Sequence, residues 1–347
     1  MDMVKAVEQP SRKRNTRSSK QAPSHVESAM GGLGAFDIDD MILWHQFITS
    51  TALTFSRPWK SEIPVLAGSH DFLMHGILAT AAMHMAYLHP EQYSQYFYKA
   101  ASHQYLAVGP FRASMLAVGP DNCNAVFAFS TLLVILSLNS QNCEATVLSS
   151  TINQACRDLV TWIIFLRGCG SLFLSLKHYI ELGPLSPLAS FCLPTEVAIR
   201  SDDDRAFCRL SEDLLTDVLV LQASSKEELE AYRRSIYQLR LTAAAPWSGD
   251  SLTNLKTIML AWPNRIPDLF IRLFDEHRPP AMIIMAYFCT LMKRFDGYWY
   301  MEGRADAVLN ALRLELAPEW HKYLGYLLTR AKHDSRRLEN FGDDYRN

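Results

Sequence analysis

From Asp37 onward the apolar residues recur at steps of three and four, and almost nowhere at steps of two. A helix turns once in about 3.6 residues, whereas a strand alternates its faces. Ile38, Met41, Ile42, His45, Ile48, Ala52 and Phe55 form one such stripe. Phe72, Leu73, Ile77, Ala81, Met85 and Leu88 form a second, closed by Pro90. Alternating runs between turn residues are nearly absent, so no sheet is expected. The spacing predicts an all-α fold, one large multi-helix domain behind a disordered basic arm.

With 347 residues, 49% of them apolar and 20% charged, the chain can bury a sizeable core. The run AVFAFSTLLVILSL, residues 125–138, is apolar all round. At about 1.5 Å per residue it falls short of the ~30 Å hydrocarbon layer, so it predicts a core helix and no transmembrane segment. No heptad or longer repeat recurs, which argues against a coiled coil or a solenoid.

Three stretches divide the chain. Residues 1–36 are polar and rich in Ser, Gly and Pro, and read as an arm and hinge. Residues 37–335 form the helical domain, and 336–347 a polar tail. Within the domain Asp37, Ser69 and Asp121 can cap helices, and Ser225 with Glu228 makes a capping box. Pro279-Pro280 suits a first helical turn. Breaks are expected at RPWKSEIP, at Gly109-Pro110, at Gly168 and Gly170, and through the prolines of 184–194.

Charge is unevenly spread. The net is −2, yet residues 1–30 hold Lys5, Arg12, Lys13, Arg14, Arg17 and Lys20 against three acidic residues. The string of Arg12, Lys13, Arg14, Arg17 and Lys20 reads as a nuclear-import signal, a phosphate-contacting arm or a solvated tail. The N-terminus has no apolar run of the secretory kind. Seven cysteines without C-x-x-C spacing fit buried, reduced thiols.

Chemistry has few places to sit. His70, His75, His84 and His89 crowd one stretch, but each neighbouring end pair is five apart. Five residues turn a helix by about 500°, so these pairs face different sides and suit no chelate. They read as surface or hydrogen-bonded core histidines, with no metal and no cofactor. No G-x-S-x-G elbow or P-loop occurs, and GGLGAFD lacks the third glycine of a dinucleotide loop. Asp202-Asp203-Asp204 finds its nearest acidic counterpart in Asp343-Asp344 of the tail, so it reads as a solvated helix start rather than a magnesium–diphosphate site. The residues from Met282 to Met301 are dense in Met and aromatics, which suit either plain core or an adaptable apolar pocket.

Four stretches carry a family pattern: DMILWHQFITSTALTF (40–55), HDFLMHGILATAAMHMA (70–86), TWIIFLRGCGSLF (161–173) and LAWPNRIPDLFIRLFDEHRPPAMIIMAYFCTLMKRFDGYWYMEGRADAVLNAL (260–312). Taken in order they resemble the C-terminal regulatory region of fungal zinc-cluster transcription factors of the sterol uptake control type. The resemblance implies a nuclear transcription regulator, with the cytoplasm as the alternative location. It would sense a sterol-like apolar molecule through Met292, Trp299, Tyr300 and Gly303. Gly303 heads that set because glycine permits close backbone approach or positive φ. Two positions depart from the pattern: Tyr300 replaces a tryptophan, and Arg304 an apolar residue. No cysteine precedes Cys123, so the family's zinc cluster is expected to be absent and no direct DNA contact is implied. Action would then run through protein partners, either a second copy or a finger-bearing relative. The alternative is an enzyme or lipid-handling protein of a fungal secondary-metabolite cluster on the same scaffold.

Overall fold

In a computed structural model of the chain, residues 36–139, 151–189, 202–220, 225–243 and 261–325 are described, and every element among them is helical. The basic string, most of GGLGAF, Cys143, Cys192, Pro194 and the tail with Asp343-Asp344 lie outside them. All the helices belong to one unit, Ile38–Asn347.

The chain opens with α1 (Ile38–Thr49), α2 (Glu62–Ala67), α3 (Asp71–Leu88), α4 (Tyr93–Leu116) and α5 (Cys123–Asn139). Helix α3 is the axis of this half. It packs against α1, α2, α4 and α5, and is buried almost all round from Phe72 to Ala86. The long α6 (Thr151–Leu182) and short α7 (Ser186–Ala189) follow. The second half holds α8 (Asp202–Val220), α9 (Lys226–Ala243), α10 (261–265), α11 (Asp268–Asp275), α12 (Pro279–Met292), α13 (Arg304–Glu315) and α14 (321–325). Helix α12 is its axis, buried from Pro280 to Met292 and packed on α9, α11 and α13. Helix α6 joins the halves by packing on α5, α11 and α13. Arg167 of α6 donates to the Ile266 carbonyl at 2.8 Å and pairs with Asp268 at 2.6 Å.

Several local signals act as read. Ser225 Oγ accepts from the Glu228 N–H at 3.2 Å, and the two prolines open α12. Others do not. Helix α4 runs straight through Gly109-Pro110. Its inner residues Ala100, His103 and Ala107 are buried, while Gly109 and Pro110 are exposed, so water can take the carbonyl orphaned by proline. Helix α6 is likewise unbroken at Gly168 and Gly170. A Cβ at Gly170 would lie 2.3 Å from the Asn264 side chain, so this glycine serves close packing. RPWKSEIP holds a 3-10 turn, Arg57–Trp59, and the start of α2. Helix α3 begins after His70, with no side-chain cap from Ser69. At α5, Asn122 rather than Asp121 ties the entry turn, accepting from Gly119 N–H at 2.9 Å and donating to the Ala117 carbonyl at 3.1 Å.

The stripe read on α1 faces outward. Leu43 and Phe47 are its buried pair, whereas Ile38, Met41, Ile42 and Ile48 are exposed. By length and hydropathy Gln154–Leu182 is a weak candidate for a membrane span. It contains Arg157, Asp158, Arg167, Lys177 and Glu181, and it buries Trp162, Ile163, Leu166, Leu176 and Ile180 against other helices. The described cysteines, 123, 156, 169, 208 and 289, are unpaired, and burial pushes the Cys156 thiol up to about 12.

Gly76 sets the contact between α3 and α5. A Cβ there would lie 2.6 Å from the Phe129 ring, itself held by Phe111 at 4.6 Å and Phe72 at 5.6 Å. Alanine improves helix propensity by about 1 kcal/mol, but overpacking a core costs about 1–3 kcal/mol. Gly76→Ala should therefore lower the denaturant midpoint, and an unchanged or raised midpoint would contradict the contact.

Candidate functional site

Between α12 and α13 the chain makes an aromatic loop. Lys293–Phe295 forms a 3-10 turn, and residues 296–303 continue as turns until Gly303 heads α13. Gly303 adopts φ 71°, the left-handed region that favours glycine, and it is exposed. Its N–H is accepted by the Asp296 carboxylate, which closes the loop on itself.

Trp299 and Tyr300 turn inward from this loop. Trp299 stacks on His84 of α3 with ring centroids 4.8 Å apart and planes 19° apart. Its indole N–H donates to Thr54 Oγ1 at 3.2 Å, and Thr54 donates in turn to the Thr51 carbonyl at 2.8 Å. Thr51 Oγ1 meets His84 Nδ1 at 2.9 Å. Tyr300 packs on Phe55 at 5.6 Å, and Phe55 on Trp59 at 5.3 Å. The Tyr87 hydroxyl donates to Glu302 at the rim. The loop is thus fastened to α3 and to the turn Thr51–Thr54 by a stack and a connected run of hydrogen bonds.

Three of the four residues expected here, Met292, Trp299 and Tyr300, are buried in the core. Trp299 and Tyr300 meet edge to face at 5.5 Å. Met292 lies at the end of α12 just before the loop, and Gly303 sits at the loop's outer end. Sequence reading missed His84, Thr51 and Thr54 as parts of this assembly. The aromatic positions 55 and 59, close behind the two threonines, were the available signal.

The four histidines of the α3 region go separate ways. His84 belongs to the clamp just described. His75 Nδ1 faces His103 Nδ1 of α4 at 3.1 Å, and His103 Nε2 lies 3.0 Å from Asp40 of α1. His89 pairs weakly with Glu91 at 3.6 Å, and the His70 ring lies 5.7 Å from that of Phe72. Among the described residues no group of three or more His, Cys, Asp or Glu is placed to hold a metal.

Electrostatics divide the clamp from its rim. Burial lowers the His84 pKa to about 4, so the ring is neutral and its two nitrogens split donor and acceptor roles. Burial raises Asp296 to about 6; Asp306 and Glu302 add to that, while Lys293 and the Gly303 N–H oppose it. The two shifts act oppositely on stability. His84, depressed from 6.5, withdraws stability as pH falls from 6.5 toward 4, by about 3 kcal/mol at the limit. Asp296, raised from 3.8, returns stability as pH falls from 6 toward 3.8, and its partial exposure reduces this to about 1 kcal/mol. Asp296→Asn should therefore stabilise the protein at pH 7 and steepen its acid loss below pH 6.5. His84→Phe should flatten that loss. Chemical denaturation measured across pH 4–7.5 checks both, and parallel profiles for the two variants would refute the assignment.

Known proteins resemble the chain over most of its length. Residues 43–194 match the model of the fungal specific transcription factor domain. Over 286 residues, 78% of the chain, the sequence is 28% identical to sterol uptake control protein 2 of Saccharomyces cerevisiae. It is 21% identical to the Candida albicans protein of that name over 74% of the chain. A Zn(2)-C6 fungal-type transcription factor of Gibberella zeae is 23% identical over 82%. The matched region spans 30%, 36% and 60% of those relatives' own lengths, respectively. By name, one of these relatives is a transcription factor and the other two are control proteins. Together these matches make residues 43–194 similar to a fungal specific transcription factor domain, and most of the chain similar to part of the sterol uptake control proteins.

Proposed function

We propose that the helical unit 37–335 senses a sterol-like apolar molecule at the aromatic loop and passes its state to protein partners in the nucleus. The arm 1–36 and tail 336–347 flank it. The observation that carries this reading is the clamp: Trp299 and Tyr300, buried as Met292 is, are fastened to α3 through neutral His84, Thr51 and Thr54. Met and aromatic side chains reshape around a bulky guest at low cost. The names of the two sterol uptake control relatives favour a sterol over other apolar guests.

A guest shifts the domain only by its difference in affinity between two conformations. Here the difference arises at the clamp, because a guest that displaces Trp299 from His84 also takes the indole donor away from the Thr54 hydroxyl. Titration of the purified chain with the fluorescent sterol dehydroergosterol should show saturable binding, and Trp299→Ala should weaken it at least about tenfold, or about 1.4 kcal/mol. Native mass spectrometry of the same preparation should show a co-purifying lipid. Absence of both saturable binding and bound lipid would overturn the sensing role.

The basic string supplies the route to the nucleus in this reading, since a cluster of Lys and Arg is what import receptors recognise. Replacing Arg12, Lys13, Arg14, Arg17 and Lys20 together by alanine should move a fluorescent fusion of the chain from nucleus to cytoplasm. An unchanged distribution would remove the arm from that role.

A further inference from the structure

Helix α4 is held to the molecule by little apolar surface. Of its 24 residues three are fully buried, Ala100, His103 and Ala107. Tyr96, Phe97 and Phe111 pack on the core half-buried. Two of the three buried side chains are alanines, which remove little area from water. The polar contact made by His103 therefore carries a large share of the hold.

That contact is a line of polar groups from three helices. His75 Nδ1 of α3 faces His103 Nδ1 of α4 at 3.1 Å, and His103 Nε2 lies 3.0 Å from Asp40 of α1. Both rings are buried. Their centroids stand 5.3 Å apart, about one ring width more than the nitrogen separation, so the two Nδ1 atoms lie nearly on the line between the rings.

The protons on this line can be counted. An ionised carboxylate only accepts, so His103 Nε2 carries a proton toward Asp40. Between the two Nδ1 atoms there is room for one proton. With none, two lone pairs face each other. With two, each N–H reaches about 1 Å toward the other, and the hydrogens collide. The remaining nitrogen, His75 Nε2, can be bare or protonated with the line intact. The pair thus stays joined while neutral or singly charged, and the proton that would charge both rings has to enter the line.

We infer that His75, His103 and Asp40 form a proton-operated latch: one proton between the rings holds α4 to α3, and a second proton on that line releases α4. The surroundings set the direction. Burial lowers the His75 pKa from 6.5 and the facing His103 lowers it further, while Asp40 of α1 and Asp71 of α3 pull the other way. A pKa lower in the folded than in the unfolded chain contributes stability that is complete above 6.5 and lost as pH falls below it. Acid is therefore the opening signal. The Lys99–Asp39 pair at 2.6 Å is a second tie between α4 and α1, so the helix loosens locally rather than departs. The latch needs no guest at the aromatic loop and stands apart from the sensing role.

Nitrogen NMR on the full chain with isotopically labelled histidine tests this. At about pH 7.5 a scalar coupling across the hydrogen bond should join Nδ1 of His75 to Nδ1 of His103, and at about pH 5 it should vanish. Amide hydrogen exchange of α4, referenced to α12 in the same sample and corrected for intrinsic rates, should rise at least about tenfold between those conditions. His75→Gln places an amide that does not titrate there on the line, and should remove the pH response of α4. Asp40→Asn deletes a charge that favours the protonated pair, and should move the opening to lower pH. His84→Phe, in the clamp, should leave the α4 response as in the parent. Absence of the coupling at the higher pH overturns the latch. So does an α4-to-α12 exchange ratio independent of pH, a response that survives His75→Gln or is lost in His84→Phe, or an opening moved to higher pH by Asp40→Asn. The coupling is read on the parent chain, so a failure of His75→Gln to fold leaves the test in force.

Discussion

Helix α3 has almost no wet side, and the first half of the molecule is arranged around that constraint. A helix buried all round must satisfy each polar side chain inside the protein, since an unmade buried hydrogen bond costs about 1–3 kcal/mol. Thr80 solves this locally by donating to the Gly76 carbonyl at 2.8 Å. His75 and His84 cannot, and each demands a partner from another element. Helix α4 supplies His103, and the turn after α1 supplies Thr51. The two histidines thereby dictate where α4 and the Thr51–Thr54 turn must lie, and the missing side chain at Gly76 dictates how close α5 comes.

Much of this architecture was legible in the sequence, because periodicity reports helices well. It is silent on which apolar stripe goes inside. Helix α1 has two, and the longer one, Ile38, Met41, Ile42 and Ile48, is the one left in water. The buried pair, Leu43 and Phe47, is shorter but sits beside Asp40, whose carboxylate is needed by His103. Packing of this kind also overrides local breakers. Pro110 costs α4 one hydrogen bond on its wet side, while its dry side keeps a continuous contact with α3. Gly170 in α6 marks a close approach to Asn264 and not a bend.

The candidate site was legible in part. Residue types marked the stretch from Met282 to Met301 as adaptable and apolar, and family pattern singled out Trp299 and Tyr300. The other half of the site lies far away in sequence, with Thr54 and Trp299 separated by 245 positions. No periodicity joins segments that distant. The histidine-rich stretch drew notice for metal binding, yet its chemistry is that of two neutral or partnered imidazoles spending their hydrogen bonds on structure. The nine-residue spacing of His75 and His84 lets them serve two different neighbours.

That spacing has a mechanical consequence. His75 and His84 are nine residues apart, so they stand on opposite sides of α3, separated by about 13.5 Å along its axis. One holds the aromatic loop; the other holds the Asp40–His103 pair that links α1 to α4. A close-packed helix moves as a body or stays put, because its neighbours leave no room for gradual deformation. A rearrangement of the loop that pulls on His84 therefore either breaks the Thr51 contact or shifts α3 against His103. Under the first outcome the event stays at the loop. Under the second it reaches α4, and the contact between the facing Nδ1 atoms of His75 and His103 is the one that must give way.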